Sequence, residues 1–191
     1  VKIETIGNTA KLTALGDGEF RLCCTANNGR DHAEVLSELE FDITGMGRAT
    51  LDPYGLVSGI QYSNCNYEAK LSFQGGVYIT SNARTCLTFE NVDFGDYGSD
   101  EITLPIFSFS DQVPVEVWEG IPEEGGTMLM KDIYRAKSWY NHYQENTFTL
   151  SKRLRGTCTV SIVVEPEIKM SIQGFRFTKI EKAYAPIPAT E

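Results

Sequence analysis

Only two histidines, His32 and His142, are available as bases in this chain. A nucleophilic hydrolase needs such a base beside its serine or cysteine, held in place by a third group. His32 follows the polar run Asn27-Asn28-Gly29-Arg30-Asp31 and reads as a loop residue. His142 stands in Trp139-Tyr140-Asn141-His142-Tyr143, but no GxSxG elbow accompanies it. No P-loop and no GxGxxG occurs, because the glycines fall in turns between alternating segments. Asp93, Asp96, Asp100 and Glu101 gather acid without the spacing of a calcium-binding loop, and read as a solvated turn. A carboxylate pair for glycoside cleavage need not be close in sequence, and nothing singles one out. The expectation is a protein that is not an enzyme. The five cysteines, Cys23, Cys24, Cys65, Cys86 and Cys158, are odd in number and lack CxxC spacing. They are expected to be reduced structural thiols rather than a disulfide framework or zinc site.

The aromatic residues carry more information. Tyr78 is out of phase with Val77 and Ile79, so if those two face a core, Tyr78 faces away from it. Trp139, Tyr140 and Tyr143 crowd a segment rich in amides. Exposed rings beside amides suit a saccharide, whose C–H face stacks on an aromatic plane while its hydroxyls take amide partners. The same rings would also serve as core at strand ends, and the residues alone do not choose.

A net charge of −9 repels phosphate backbones, and no basic cluster exceeds Lys152-Arg153-Leu154-Arg155, so no nucleic-acid partner is expected. No apolar run approaches the roughly 20 residues that span a bilayer, and no membrane partner is expected. With 191 residues and 41% apolar composition, the chain can bury a substantial core. It opens at Val1 without a leader pattern and reads as a piece of a longer polypeptide, or as a chain whose signal has been removed.

The elements that must position these residues are strands. Phe20, Leu22, Cys24 alternate with polar neighbours, and the two-residue beat recurs in Leu39-Phe41-Ile43, Leu71-Phe73, Ile102-Leu104-Ile106, Val113-Val115-Val117 and Cys158-Val160-Ile162-Val164. Turn chemistry separates them at Gly16-Asp17-Gly18, Gly75-Gly76, Gly95-Asp96-Tyr97-Gly98 and Glu124-Gly125-Gly126. This pattern predicts an all-β, antiparallel sandwich or barrel. Two runs change phase: Ile106 gives way to Phe107 and Phe109, and Met170-Ile172 gives way across Gly174 to Phe175 and Phe177. A bulge or twist at each point would return those rings to the core. Residues 1–45 read as a separate segment of about four strands, too short for an immunoglobulin-type sandwich of about 7 strands. Residues 46–182 read as a second domain, in which 48–180 supply about eight to ten strands, enough for a two-sheet jelly roll. Residues 183–191, with Pro186 and Pro188, read as a tail.

Several phrases resemble a known family. Ala49-Thr50-Leu51-Asp52-Pro53-Tyr54, Gly76-Val77-Tyr78-Ile79 and Phe89-Glu90-Asn91-Val92-Asp93-Phe94-Gly95 are similar to the opening of family 6 carbohydrate-binding modules. Val115-Glu116-Val117-Trp118, Gly156-Thr157-Cys158-Thr159-Val160 and Ile172-Gln173-Gly174-Phe175-Arg176-Phe177 resemble the family's later strands, in order. Residues 48–178 further resemble the C-terminal region of bacterial family 2 glycoside hydrolases of the β-galactosidase type. Thr9 to Ile43 resembles the last strands of the immunoglobulin-like domain that precedes it there.

The resemblance implies a jelly-roll, galactose-binding-like β-sandwich that places an enzyme on glycan, the catalytic domain lying elsewhere. The partners it implies are an oligosaccharide or polysaccharide and the other domains of a parent hydrolase. Of the two rings that hold a sugar in this family, the first corresponds to Tyr78 and the second to Tyr140 or Trp139. Asn141 or Ser171 is the expected polar partner. Ser171 stands where an asparagine is usual, so an interdomain module without sugar binding is the competing reading. A structural Ca2+ is common in the family; here Asp52 keeps one ligand position, while Thr50 and Gln173 replace two acids, so the metal site is expected to be weak or absent. The acidic chain is compatible with a bacterial cytoplasm or cell surface.

Overall fold

The computed structural model describes residues 1–26, 29, 35–47, 49–79, 82–110, 112–137 and 142–180. Of the expected features, His32, Trp139, Tyr140, Asn141 and the 183–191 tail lie outside the described residues. The chain divides into two compact units, Val1–Thr50 and Leu51–Glu191.

The first unit holds two antiparallel hairpins, β1 (Lys2–Ile6) with β2 (Thr9–Thr13), and β3 (Gly18–Ala26) with β4 (Val35–Ile43). Register in the second hairpin sorts the sequence by face. Phe20 opposes Phe41 and Leu22 opposes Leu39, while on the other face Arg21 opposes Glu40 and Cys23 opposes Glu38. The Phe20 and Phe41 rings stack at 4.8 Å, and Arg21 pairs with Glu40 at 2.7 Å. Below the hairpin the Asp17 carboxylate accepts the Met46 and Gly47 amides at 2.8 and 3.0 Å.

The second unit is the antiparallel sandwich. Its strands are β5 (Val57–Ser58), β6 (Asn64–Cys65), β7 (Ala69–Leu71), β8 (Val77–Ile79), β9 (Thr85–Asp93), β10 (Ser99–Ser108), β11 (Gln112–Glu119), β12 (Thr127–Arg135), β13 (Gln144–Leu154), β14 (Thr157–Val164), β15 (Met170–Ile172) and β16 (Gly174–Phe177). Among the described residues there are twelve, more than the eight to ten expected, because β5 to β8 are pieces of two or three residues, too short to show alternation. One sheet runs β5-β16-β10-β15-β8-β7, with β13 on the other side of β10; the other runs β12-β11-β14-β9-β6.

The core lies between the sheets. Val113, Val115 and Val117 of β11, Val160, Ile162 and Val164 of β14, and Ile102, Leu104 and Ile106 of β10 are all fully buried. Each such side chain contributes roughly 1.5–3 kcal/mol of transfer free energy. Phe89 meets Phe175 edge-on across the layer at 4.9 Å, and Phe94 meets Phe177 at 4.7 Å. All five cysteines are free thiols. Burial pushes the Cys158 thiol up to about 12, and no CxxC-like pairing forms.

The two phase changes resolve differently, and Pro105 explains why. Gln173 N–H donates to Pro105 O at 3.0 Å, so the backbone polar groups of Pro105 point toward the β15–β16 line. Proline has no N–H to return, and a ladder cannot run unbroken past it. The line breaks there at Gln173, between β15 and β16, and the break returns Phe175 and Phe177 to the core. β10 itself stays regular from Glu101 to Ser108; its irregularity falls between Ser99 and Glu101. Phe107 therefore faces outward and Phe109 is 75% exposed, contrary to the expected bulge.

Candidate carbohydrate-binding face

Tyr78 is flanked by Val77 and Ile79, both in the core, so strand alternation turns its ring to the outer face of the sheet. There it opposes Lys70 of β7 on one side and Ser171 of β15 on the other. Ser171 in turn opposes Phe107 of β10. Directly opposed residues share a face, so Lys70, Tyr78, Ser171 and Phe107 form one row across four strands, on the order of 15 Å long at the usual interstrand spacing. Tyr78 is half-buried, and its phenol finds no hydrogen-bond partner among the described residues.

Tyr143 extends the row. Gln144 opposes Ile106 in β13, which puts the preceding residue beside Phe107. The Tyr143 phenol donates to Ser72 Oγ at 3.2 Å or to the Phe73 carbonyl at 3.1 Å, and Ser72 Oγ donates to Ser171 Oγ at 3.0 Å. The Tyr143 ring stacks on Phe73 at 4.4 Å and 26°. Phe73, which opens a single 3-10 turn (Phe73–Gly75), also meets Phe107 edge-on at 5.8 Å, and Phe107 meets Phe109 at 5.0 Å. Burial pushes the Tyr143 phenol up, against the smaller opposing effect of its Ser72 and Ser171 hydrogen bonds.

Gly76 makes this seat possible. A Cβ there would stand 2.1 Å from Tyr143 Oη and 2.8 Å from the Ile172 carbonyl. The expected Leu71-Phe73 strand does not form: β7 ends at Leu71, and Phe73, 40% exposed, joins the aromatic group in the following turn.

The remaining expected residues fall as follows. Ser171 is on the row but only 3% exposed, its hydroxyl already engaged by Ser72. Trp139, Tyr140 and Asn141 lie outside the described residues; of the residues around them, the Lys137 N–H donates to Gln144 Oε1 at 2.8 Å. Asp52 and Gln173 do not converge. The Phe177 amide donates to Pro53 O and the Gly59 amide to Gln173 O, which places the two at opposite ends of β16. Those two ends, Gln173 and Phe177, are about 13 Å of strand apart at the usual rise. Asp52 instead accepts the Tyr54 amide at 2.9 Å, and no group of three or more His, Cys, Asp or Glu suited to a metal occurs among the described residues. The sequence groups Tyr143 with the rings suited to a saccharide without singling it out as a site residue, and gives no such part to Phe73 or Phe107. The phase change at Ile106 was the available signal for Phe107.

The other sheet carries the strongest electrostatic feature on its own outer side. Glu116 is 4% exposed, yet Lys131 Nζ donates to it at 2.8 Å, Trp118 Nε1 at 2.9 Å and an Arg84 guanidinium nitrogen at 2.7 Å. Burial pushes its carboxyl up, but those three hydrogen bonds and the Arg84 charge outweigh it and hold the group at about 2. Arg84 also lies over the Trp118 ring at 5.8 Å. Both Glu116 carboxylate oxygens are engaged by these donors, which suits a structural clasp.

No protein-family model matches the sequence, and no curated protein matches it. Solved structures do share its fold. A CBM6 module from Clostridium stercorarium in complex with cellobiose superposes with a TM-score of 0.57 at 18% identity, over 69% of this chain and 98% of that one. A family 6 carbohydrate-binding module from Clostridium cellulolyticum in complex with xylose gives 0.56 at 19% identity, over 68% and 100%. A β-1,3-glucan-binding CBM6 from Bacillus halodurans gives 0.53 at 22% identity, over 67% and 98%. The chain thus contains the β-sandwich fold of family 6 carbohydrate-binding modules.

Proposed function

We propose that the second unit is a non-catalytic carbohydrate-binding module that takes a glycan chain on the outer face carrying Tyr78. The observation that carries this reading is the half-buried Tyr78 ring, whose phenol has no partner among the described residues, on one row with Phe107 and, beyond it, Tyr143. Such a surface offers ring faces for sugar C–H groups and hydroxyls for sugar oxygens. Lys70, the charged member of the row, is paired with Glu68 at 3.4 Å, which favours a neutral glycan. The solved relatives in fold, described in complex with cellobiose and xylose, add support. In this reading Trp139, Tyr140 and Asn141 supply the second ring and its amide from the segment after Lys137. The parent would be a family 2 hydrolase of the β-galactosidase type, with its catalytic domain elsewhere and the first unit belonging to an adjoining immunoglobulin-like domain.

A second reading, an interdomain sandwich that no longer binds sugar, draws on two observations. Phe73 and Tyr143 spend ring faces on each other, and the Ser171 hydroxyl is already used. A glycan array and affinity electrophoresis with the 191-residue chain separate the two. Retention by at least one β-glucan or xylan, weakened tenfold or more in Tyr78→Ala and Tyr140→Ala, is the expected outcome for a stacking ring worth about 1.5 kcal/mol. Absence of any retained glycan removes the first reading and leaves the second.

A further inference from the structure

Ser171 aligns with a residue that contacts sugar in the resembled family, yet here it is 3% exposed and lies beneath Ser72. Its position in the fold gives it different work. Three segments far apart in sequence meet at this point. Ser72 leads into the Phe73–Gly75 turn, Ser171 is the middle residue of β15, and Tyr143 precedes β13. Their hydroxyls form a chain from Tyr143 Oη to Ser72 Oγ at 3.2 Å and on to Ser171 Oγ at 3.0 Å. The hydroxyl chain holds Tyr143 where Gly76 leaves room for its oxygen and where its ring covers Phe73. Tyr143 is also next to Gln144, whose Oε1 accepts the Lys137 amide.

The geometry points to Tyr143, Ser72 and Ser171 as one positioning unit for the glycan face, in which Ser171 acts through Ser72 and Tyr143 and does not touch the sugar. This rests on the reading of the second unit as a carbohydrate-binding module. The unit fixes the Phe73 ring against Phe107 and fixes Tyr143 at the start of β13. A ligand then meets a surface already ordered, and less ordering entropy is lost on binding. Breaking any one hydrogen bond frees the same elements, so a second break adds little. Independent contacts with the sugar would instead contribute separately.

The test is a double-mutant cycle on affinity. Wild type, Tyr143→Phe, Ser171→Ala and the double variant are titrated with cellohexaose, xylohexaose and laminarihexaose by calorimetry, with thermal midpoints recorded alongside. The Phe variant keeps the stacked ring and removes only the hydroxyl. Each single variant is expected to weaken binding about 2- to 12-fold, the range of one hydrogen bond, and the double variant to be no weaker than the weaker single. Ser72→Ala should reproduce the same loss. Ser171→Asn, which restores the usual family residue, should weaken binding because it replaces the buried hydroxyl that Ser72 engages. Additive losses, a gain in affinity from Ser171→Asn, or unchanged affinity in the single variants overturns the inference while leaving the module reading intact. Wild-type protein that binds none of the three sugars, nor any glycan on the array, removes both.

Discussion

Replacing Glu116 by glutamine removes one charge and keeps the shape, and its effect should depend on pH in a way that packing loss would not. The folded carboxyl sits at about 2 against an ordinary value of 4.5. That gap corresponds to about 3 kcal/mol of stability at neutral pH, at 1.36 kcal/mol per decade. Arg84 and Lys131 are 34% and 55% exposed, so solvent screening lowers the expected contribution to roughly 2 kcal/mol. Both cations can rehydrate when the carboxylate is lost, so no buried charge is stranded. A group whose folded pKa is depressed stabilises the fold above its unfolded value and loses that effect as pH falls toward the folded one. The wild-type advantage over Glu116→Gln should therefore be full at pH 7, begin to shrink below 4.5 and vanish near 2. Both tryptophans, Trp118 and Trp139, belong to the second unit, so urea unfolding followed by their fluorescence reports that unit. A difference between the two proteins that stays constant from pH 7 to pH 3, or that is absent at pH 7, would refute the electrostatic reasoning.

Two further expectations concern the sandwich itself. Tyr134 is fully buried and its phenol is within reach of the Ile106 carbonyl at 2.9 Å and the Gln144 carbonyl at 3.2 Å, so Tyr134→Phe should cost about 1–3 kcal/mol by urea unfolding. Burial pushes that phenol up to about 12, so wild type should also lose stability as pH rises from 10 toward 12 while the Phe variant loses less; parallel alkaline profiles would count against it. Because the core cluster of the second unit runs from Val57 to Phe177, residues 51–191 expressed alone should unfold cooperatively with the fluorescence midpoint of the full chain; a shift of more than a few degrees would contradict this.

The sandwich is legible in the sequence because its central strands are long and face a core on one side only. β11 and β14 repeat valine and isoleucine every second residue, and that period alone specifies strand and face. β5 to β8 escape notice for the opposite reason. Two or three residues carry no measurable period, and their order is set by pairing with strands distant in the chain. The break at Gln173 had a visible cause in Pro105, but only the register puts those two residues opposite each other.

The site is half legible on the same principle. Tyr78 declares itself by standing out of phase between two core residues, and its face follows from alternation. Phe107 sends a similar signal, but a ring out of phase beside Ile106 has two physical outcomes. The strand can bulge and bury it, or stay regular and expose it. Which occurs depends on whether the neighbouring strand allows the shift, and here the break at Pro105 relieves the β15–β16 line instead of β10. The apparent patterning error is thus what puts Phe107 on the row with Tyr78. Periodicity misplaces Phe73 in a strand and says nothing of Tyr143, since neither lies within one; their roles come from the space left by Gly76 and from hydroxyls 71 and 99 residues apart in sequence. Local sequence specifies the platform, and long-range packing specifies how it is dressed.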